Sequence, residues 1–177
     1  MVTLSPVMQK FILHWGEMGQ RWGVNRSVAQ IHALLFLMDQ PLHAEEISET
    51  LGLARSNVSN SLKELQGWRV VRVIHVMGDR RDHFESLTDV WEMFRVVMDE
   101  RKQREIDPTR IMLQECLEEL KRDRKAGPVV EKRLEDMLAF MDTMTSWYEQ
   151  FSRLPRQGLV RFFRMGQKVR RVLIGGS

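Results

Sequence analysis

Three observations predict a mostly α-helical fold carrying one small β-hairpin. Two short helical patterns meet at Gly52, the period then changes from helical to two over residues 70–87, and amphipathic helical patterns flank this region on both sides. Together they describe an α+β protein, a winged helix-turn-helix with N- and C-terminal dimerisation helices. The 177 residues suit one domain with extensions. The expected division is an N-terminal support and dimerisation helix over 1–24, the winged unit over 25–90, and a C-terminal helical dimerisation region over 91–177.

The elements follow in order. Residues 5–22 place Val7, Phe11, Trp15, Met18 and Trp22 at three- and four-residue steps behind a Ser5–Pro6 start signal, which predicts an amphipathic helix that needs a partner. The next segment has Asn25 or Ser27 as cap, an apolar body to Met38 and Pro41 as a stop. Two short helices over 43–67 then share a break at Gly52, with Ile47 and Leu51 on one face of the first and Val58, Leu62 and Leu65 on one face of the second. VVRVIHVM (70–77) and HFESL (83–87) flank the turn GDRRD, which predicts the wing. A Thr88–Asp89 cap opens a helix, and Pro108 marks a junction before another. Beyond Gly127–Pro128 the longest helix carries Val130, Leu134, Met137, Met141, Met144, Tyr148 and Phe151 in alternating four- and three-residue steps over three heptads. That seam is expected to pack lengthwise against another helix and to serve dimerisation.

Composition excludes several classes. Hydrophobic residues at 43% and charged residues at 29% are ordinary for a globular chain. No apolar run reaches membrane-spanning length and the N-terminus lacks a secretory pattern, so no membrane span and a cytoplasmic setting are expected. A single cysteine, Cys116, permits no internal disulfide and no thiolate zinc site, and on its apolar seam it is expected to be an inert thiol rather than a redox trigger. The net charge is +3, yet the stretch from Arg153 to the end holds seven Lys/Arg and no Asp/Glu, so the rest of the chain is net acidic. This basic tail, with Arg161, Arg164, Lys168 and Arg171 opposite Phe162 and Phe163, is expected to dock on the dimer helices, with an anionic membrane surface as rival. No Gly-rich phosphate loop, nucleophile elbow or His/carboxylate ligand cluster is present, so neither an enzyme nor a cofactor or metal is expected. His75 and His83, on opposite strands of the hairpin, could meet across it but make a poor metal site.

The second helix of the pair is rich in poor helix formers: Ser56, Asn57, Ser59, Asn60 and Ser61 follow Arg55 almost without interruption. Short polar side chains let a helix approach the floor of a DNA major groove, where Ser and Asn reach base edges, and Arg55 and Lys63 suit guanine or phosphate. GDRRDHFESLT then resembles the wing pattern D-x-R-x5-L-T of the MarR family, with Asp79, Arg81, Leu87 and Thr88 in the defined positions, and the surrounding sequence is similar to its GbsR-type branch. The resemblance covers most of the chain. It implies that Arg81 enters the minor groove, that Asp79 orients the wing and that Arg80 is a phosphate contact or second groove residue. Ala54 departs from the Ser or Thr cap usual there.

The resemblance further implies a homodimer on a pseudo-palindromic operator, a repressor released by a small-molecule inducer, and choline or glycine betaine metabolism as its setting. Trp15, Trp22 and Trp91 are the aromatics available for a quaternary ammonium cage, although tryptophans at helical spacing are more often core. The competing expectation is a winged-helix protein-interaction module that binds no specific DNA.

Overall fold

The computed structural model describes residues 2–122, 127–155, 157, 158 and 161. The elements run α1 (Pro6–Arg21), α2 (Arg26–Leu37), β1 (Leu42–His43), α3 (Ala44–Leu51), α4 (Arg55–Gly67), β2 (Val71–His75), β3 (Asp82–Ser86), α5 (Val90–Arg101), a π-helical turn (Lys102–Ile106), α6 (Asp107–Arg122) and α7 (Pro128–Ser152). The fold is mostly helical with one three-stranded antiparallel sheet, the winged-helix architecture expected. The chain forms two compact units, Met1–Val97 and Met98–Ser177.

In the first unit local chemistry sets each boundary. Ser5 Oγ accepts from Met8 N at 3.3 Å ahead of Pro6, and Asn25 Oδ1 accepts from Ser27 N at 2.8 Å, so α1 and α2 start at side-chain caps. Gly52, at φ 64°, ends α3 in a left-handed conformation that a Cβ would disfavour. Asp89 caps α5, as its carboxylate accepts from Trp91 N at 2.8 Å. Ile31, Leu34, Ile47, Val58, Leu62, Leu65 and Val70 are almost wholly buried and tie α2, α3, α4 and the sheet into one core. Each such side chain contributes about 1.5–3 kcal/mol of transfer free energy.

One expectation is corrected here. The hairpin gains a third strand: the order is β1-β3-β2, with His43 opposite His83 and Leu42 opposite Phe84. A two-residue strand shows no alternation, so its pattern carries no signal. His83 therefore meets His43, their rings edge-on at 5.5 Å, while His75 lies opposite Asp82. The N-terminal helix, moreover, finds a partner inside its own unit. Ile12, Gly16 and Gly19 of α1 are buried, and a Cβ at Gly19 would stand 2.5 Å from Ala29 Cβ, so the glycine is what lets α1 approach α2 so closely.

In the second unit α6 and α7 pack on each other. Arg110 Nε donates to Asp142 at 2.7 Å, Lys102 pairs with Asp107 at 3.0 Å, and the Tyr148 hydroxyl donates to Asp99 at 2.7 Å. Leu113, Thr145 and Phe151 are buried. The π-helical turn adds a residue to the helical ladder just before the Pro108 junction. Cys116 is half-buried with its thiol 3.6 Å from the Met112 sulfur. No described helix is long and apolar enough to cross a membrane. Arg161 is exposed, and Arg164, Lys168 and Arg171 lie outside the described residues.

Candidate nucleic-acid interface

Helix α4 divides cleanly. Val58, Ser61, Leu62 and Leu65 face the core, whereas Arg55, Ser56, Ser59, Asn60 and Lys63 are exposed. Asn57 belongs to neither group. Its amide donates to Ser27 Oγ on α2 at 2.9 Å and its carbonyl accepts from Ser61 Oγ at 3.2 Å, so this member of the expected reading face is half-buried and holds α4 to α2. Arg55 pairs at 3.2 Å with Glu45 of α3, both side chains largely exposed. Ala54 occupies the N-cap without a side-chain hydrogen bond, leaving the first amides of α4 to other partners.

The wing turn at Gly78 presents Asp79 to Arg81. Asp79 Oδ1 accepts from the Arg81 amide at 3.0 Å and from its Nε at 2.9 Å, while Oδ2 accepts from Nη2. The hydrogen bonds from the Arg81 side chain, then its backbone amide, hold the Asp79 carboxyl well below the usual carboxylate range and raise Arg81 in turn. Arg81 Nη1 also lies 2.8 Å from His43 Nε2. His43 is the N-cap of α3: its Nδ1 accepts from Glu46 N at 3.3 Å, and Glu46 returns a carboxylate to the His43 amide at 3.1 Å. A neutral imidazole has one accepting nitrogen, so His43 cannot cap α3 and accept from Arg81 at once. Asp79 is therefore the anchor that fixes Arg81. Arg80 is exposed beside it.

Helix α4, the start of α3 and the wing enclose a cleft of about 380 Å³ whose walls include His43, Arg55, Ser59, Lys63, Gln66 and Arg81. Three cations converge on it against two carboxylates, Glu45, which pairs with Arg55, and Asp82, and the net positive charge suits an anionic backbone entering between helix and wing. His43 and Gln66 were missed from sequence. Histidine is an uncommon cap, so H-x-x-E did not read as a capping box, and Gln66 sits at the end of the helix among residues that looked like helix surface.

The other expected residues are placed as follows. Trp15 is half-buried, stacked on Phe11 at 5.4 Å and edge-on to the exposed Trp22 at 6.2 Å; Trp91 is half-buried. Trp22 and Trp91 do not line the apolar cavity that Trp15 lines. On α7 the seam divides: Phe151 is buried and stacked on Trp147 at 5.2 Å, Tyr148 bonds Asp99, and Leu134 and Met141 are half-buried within the unit. Val130, Met137 and Met144 of the expected seam are exposed, and Phe140 and Trp147, each one residue before a seam position, extend that exposed face. Among the described residues no group of His, Cys, Asp and Glu could hold a metal ion.

Helix pair, polar helix and wing make this a winged helix-turn-helix, and residues 18–82 match the model of the MarR family. The chain is 20% identical over 156 residues to YvaV of Bacillus subtilis (strain 168), a candidate HTH-type transcriptional regulator, covering 87% of this chain and 88% of that one. A crystal structure of a transcriptional regulator superposes with a TM-score of 0.67 over 90% of this chain and 99% of its own at 17% identity, a likeness of fold. Staphylococcus aureus MepR, a transcription regulator of the multidrug efflux pump MepA, is 16% identical over 79% of this chain and 91% of its own; its TM-score of 0.38 is too low to carry an argument.

Proposed function

We propose that this protein is a sequence-specific regulator of transcription that binds double-stranded DNA as a homodimer in the cytoplasm, without catalytic chemistry of its own, and represses by occupying a pseudo-palindromic operator until a small-molecule inducer releases it. The observation that carries the reading is the single cleft into which Arg55 and Lys63 of α4 and Arg81 of the wing converge. In this reading Ser56, Ser59 and Asn60 meet base edges, Arg55 and Lys63 meet guanine or phosphate, and Arg81, freed from His43 but held by Asp79, enters the minor groove with Arg80 on the backbone. The exposed stripe of α7 supports a second copy as the partner, because a two-fold pair sets two recognition helices about one DNA turn apart, roughly 34 Å.

Selection from random and genomic duplexes over a salt series tests this. The expected result is enrichment of a pseudo-palindrome; Arg81→Ala weakens binding about tenfold and reduces the log–log salt slope by about one. Failure of the wild type to bind duplex DNA above background at low salt would overturn it and favour the protein-interaction module, for which Met77, fully exposed at the wing tip, is the natural contact.

A further inference from the structure

The start of α3 and the wing meet at a pair of buried histidines. His43 and His83 are each 8% exposed, and their rings stand edge-on at 5.5 Å. Both engage Arg81, in different ways. His83 Nδ1 lies 3.0 Å from the Arg81 carbonyl oxygen, and Asp79 Oδ1 accepts from the Arg81 amide, so the backbone of Arg81 is pinned on both sides. His43 Nε2 instead lies 2.8 Å from Nη1, the outer end of the guanidinium. The Asp79 contacts are local to the turn and travel with the wing, whereas the His43 contact spans 38 residues and ties the wing to the helix-turn-helix.

One hydrogen on the His43 ring decides between two arrangements. With it on Nδ1, Nε2 accepts from Arg81, but Nδ1 then turns a hydrogen toward the Glu46 amide 3.3 Å away, and the side-chain cap of α3 is unmade. With it on Nε2, Nδ1 accepts from the Glu46 amide and completes the capping box. Nε2–H then faces the Glu46 carboxylate at 3.4 Å, and Arg81 has lost its acceptor. The bond from the His43 amide to Glu46 Oε2 at 3.1 Å serves both arrangements. Only the side-chain cap and the Arg81 contact exclude each other.

We propose that His43 is the positioning residue of the wing arginine: in the free protein it holds Nη1 of Arg81 against α3, and when Arg81 turns to DNA the ring changes tautomer and caps α3. Release of the wing arginine and completion of the α3 cap are then one event, made by a single imidazole. The DNA step rests on the regulator reading above, whereas the tautomer step rests on the contacts of His43 alone. A protein that holds Arg81 binds DNA only through the fraction f in which the arginine is free, so its apparent affinity falls by that fraction. His43 is therefore a built-in brake on binding, and its setting can be read without DNA.

The tautomer is read first, from the imidazole nitrogen shifts of the full chain without DNA at about pH 8, above the ordinary histidine range. The wild type is expected to carry the hydrogen mainly on Nδ1, and Arg81→Ala mainly on Nε2. Duplex binding is then measured with a random-sequence pool at low salt for the wild type, His43→Asn, Arg81→Ala and the double variant. Asparagine caps a helix through Oδ1, and its other terminal atom is a donor that cannot hold Arg81. His43→Asn is expected to tighten binding by the factor 1/f, about fivefold when roughly one molecule in five has Arg81 free. In the Arg81→Ala background the same substitution changes nothing, a non-additivity that a merely structural histidine would not produce. The same tautomer in wild type and Arg81→Ala, weaker or unchanged binding in His43→Asn, or equal effects in the two backgrounds would overturn the proposal. Should His43→Asn lose its fold by circular dichroism, the tautomer comparison decides, extended to the wild type on the duplex pool, where the hydrogen is expected on Nε2. A tautomer that follows Arg81 in a protein that binds no duplex keeps the His43 assignment and loses the regulator; duplex binding with a tautomer indifferent to Arg81 does the reverse.

Discussion

Arg81 and His32 show how differently one charge behaves at the surface and in the core. Arg81 and Asp79 are partly exposed, and their pairing matters for geometry, since two oxygens and three nitrogens leave the guanidinium one orientation at the wing. Because the Asp79 carboxyl is held below its ordinary value, the pair is intact above the usual carboxylate range and is lost only as pH falls well below it. His32 reaches the same sign by the opposite cause, since burial disfavours its charged form. Its folded value of about 4 lies below the ordinary 6.5, so the unfolded chain takes up the proton first. Stability is complete above about pH 6.5 and declines as pH falls toward 4, by about 3 kcal/mol from this group. Urea midpoints at pH 7.5 and 4.5 should separate more in the wild type than in His32→Leu, and equal separations would contradict the burial argument.

At the scale of elements, two helix ends are tuned in opposite directions. Helix α4 starts at Ala54 with no side chain to accept from its first amides. Ala54→Ser should supply that acceptor and stabilise the protein by about 1 kcal/mol, seen as a rise in Tm of roughly 4–8 °C for a unit of this size. Helix α1 depends on a missing side chain instead. Gly19→Ala gains about 1 kcal/mol of helix propensity but drives a methyl into Ala29, an overlap worth about 1–3 kcal/mol, so a net loss is expected in thermal melts. Gly16 is the milder case: a Cβ there would stand 2.7 Å from Gln30 Cγ, which a change of rotamer can move, so Gly16→Ala should cost less than Gly19→Ala. Both glycines read in the sequence as ordinary residues of an amphipathic pattern. Only the path of α2 gives one of them a role.

At the scale of the molecule, the exposed stripe of Met137, Phe140, Met144 and Trp147 is the surface that the proposed homodimer would cover. Sedimentation should show a dimer at micromolar concentration, and Phe140→Glu with Met144→Glu should yield a folded monomer that binds an operator at least tenfold more weakly, since one half-site remains. A wild type that sediments as a monomer at tens of micromolar would remove the assembly argument.

Periodicity, caps and turn residues by themselves determined the helices, the break at Gly52, the wing and the polar face of α4, because each depends on neighbours a few residues away. The pattern of α7 announced a packing helix but not which stripe its own chain would cover, since adjacent stripes on one helix differ by a single residue and the choice depends on where α6 lies. Tertiary structure alone decided that Asn57 turns inward to Ser27, 30 residues away, and that Arg81 meets His43, 38 residues away. It also decided that a histidine inside an apolar run is buried with its Nε2 unpartnered. These are contacts between distant segments, and the free energy that selects them is the burial of a shared core, which no local window of sequence contains.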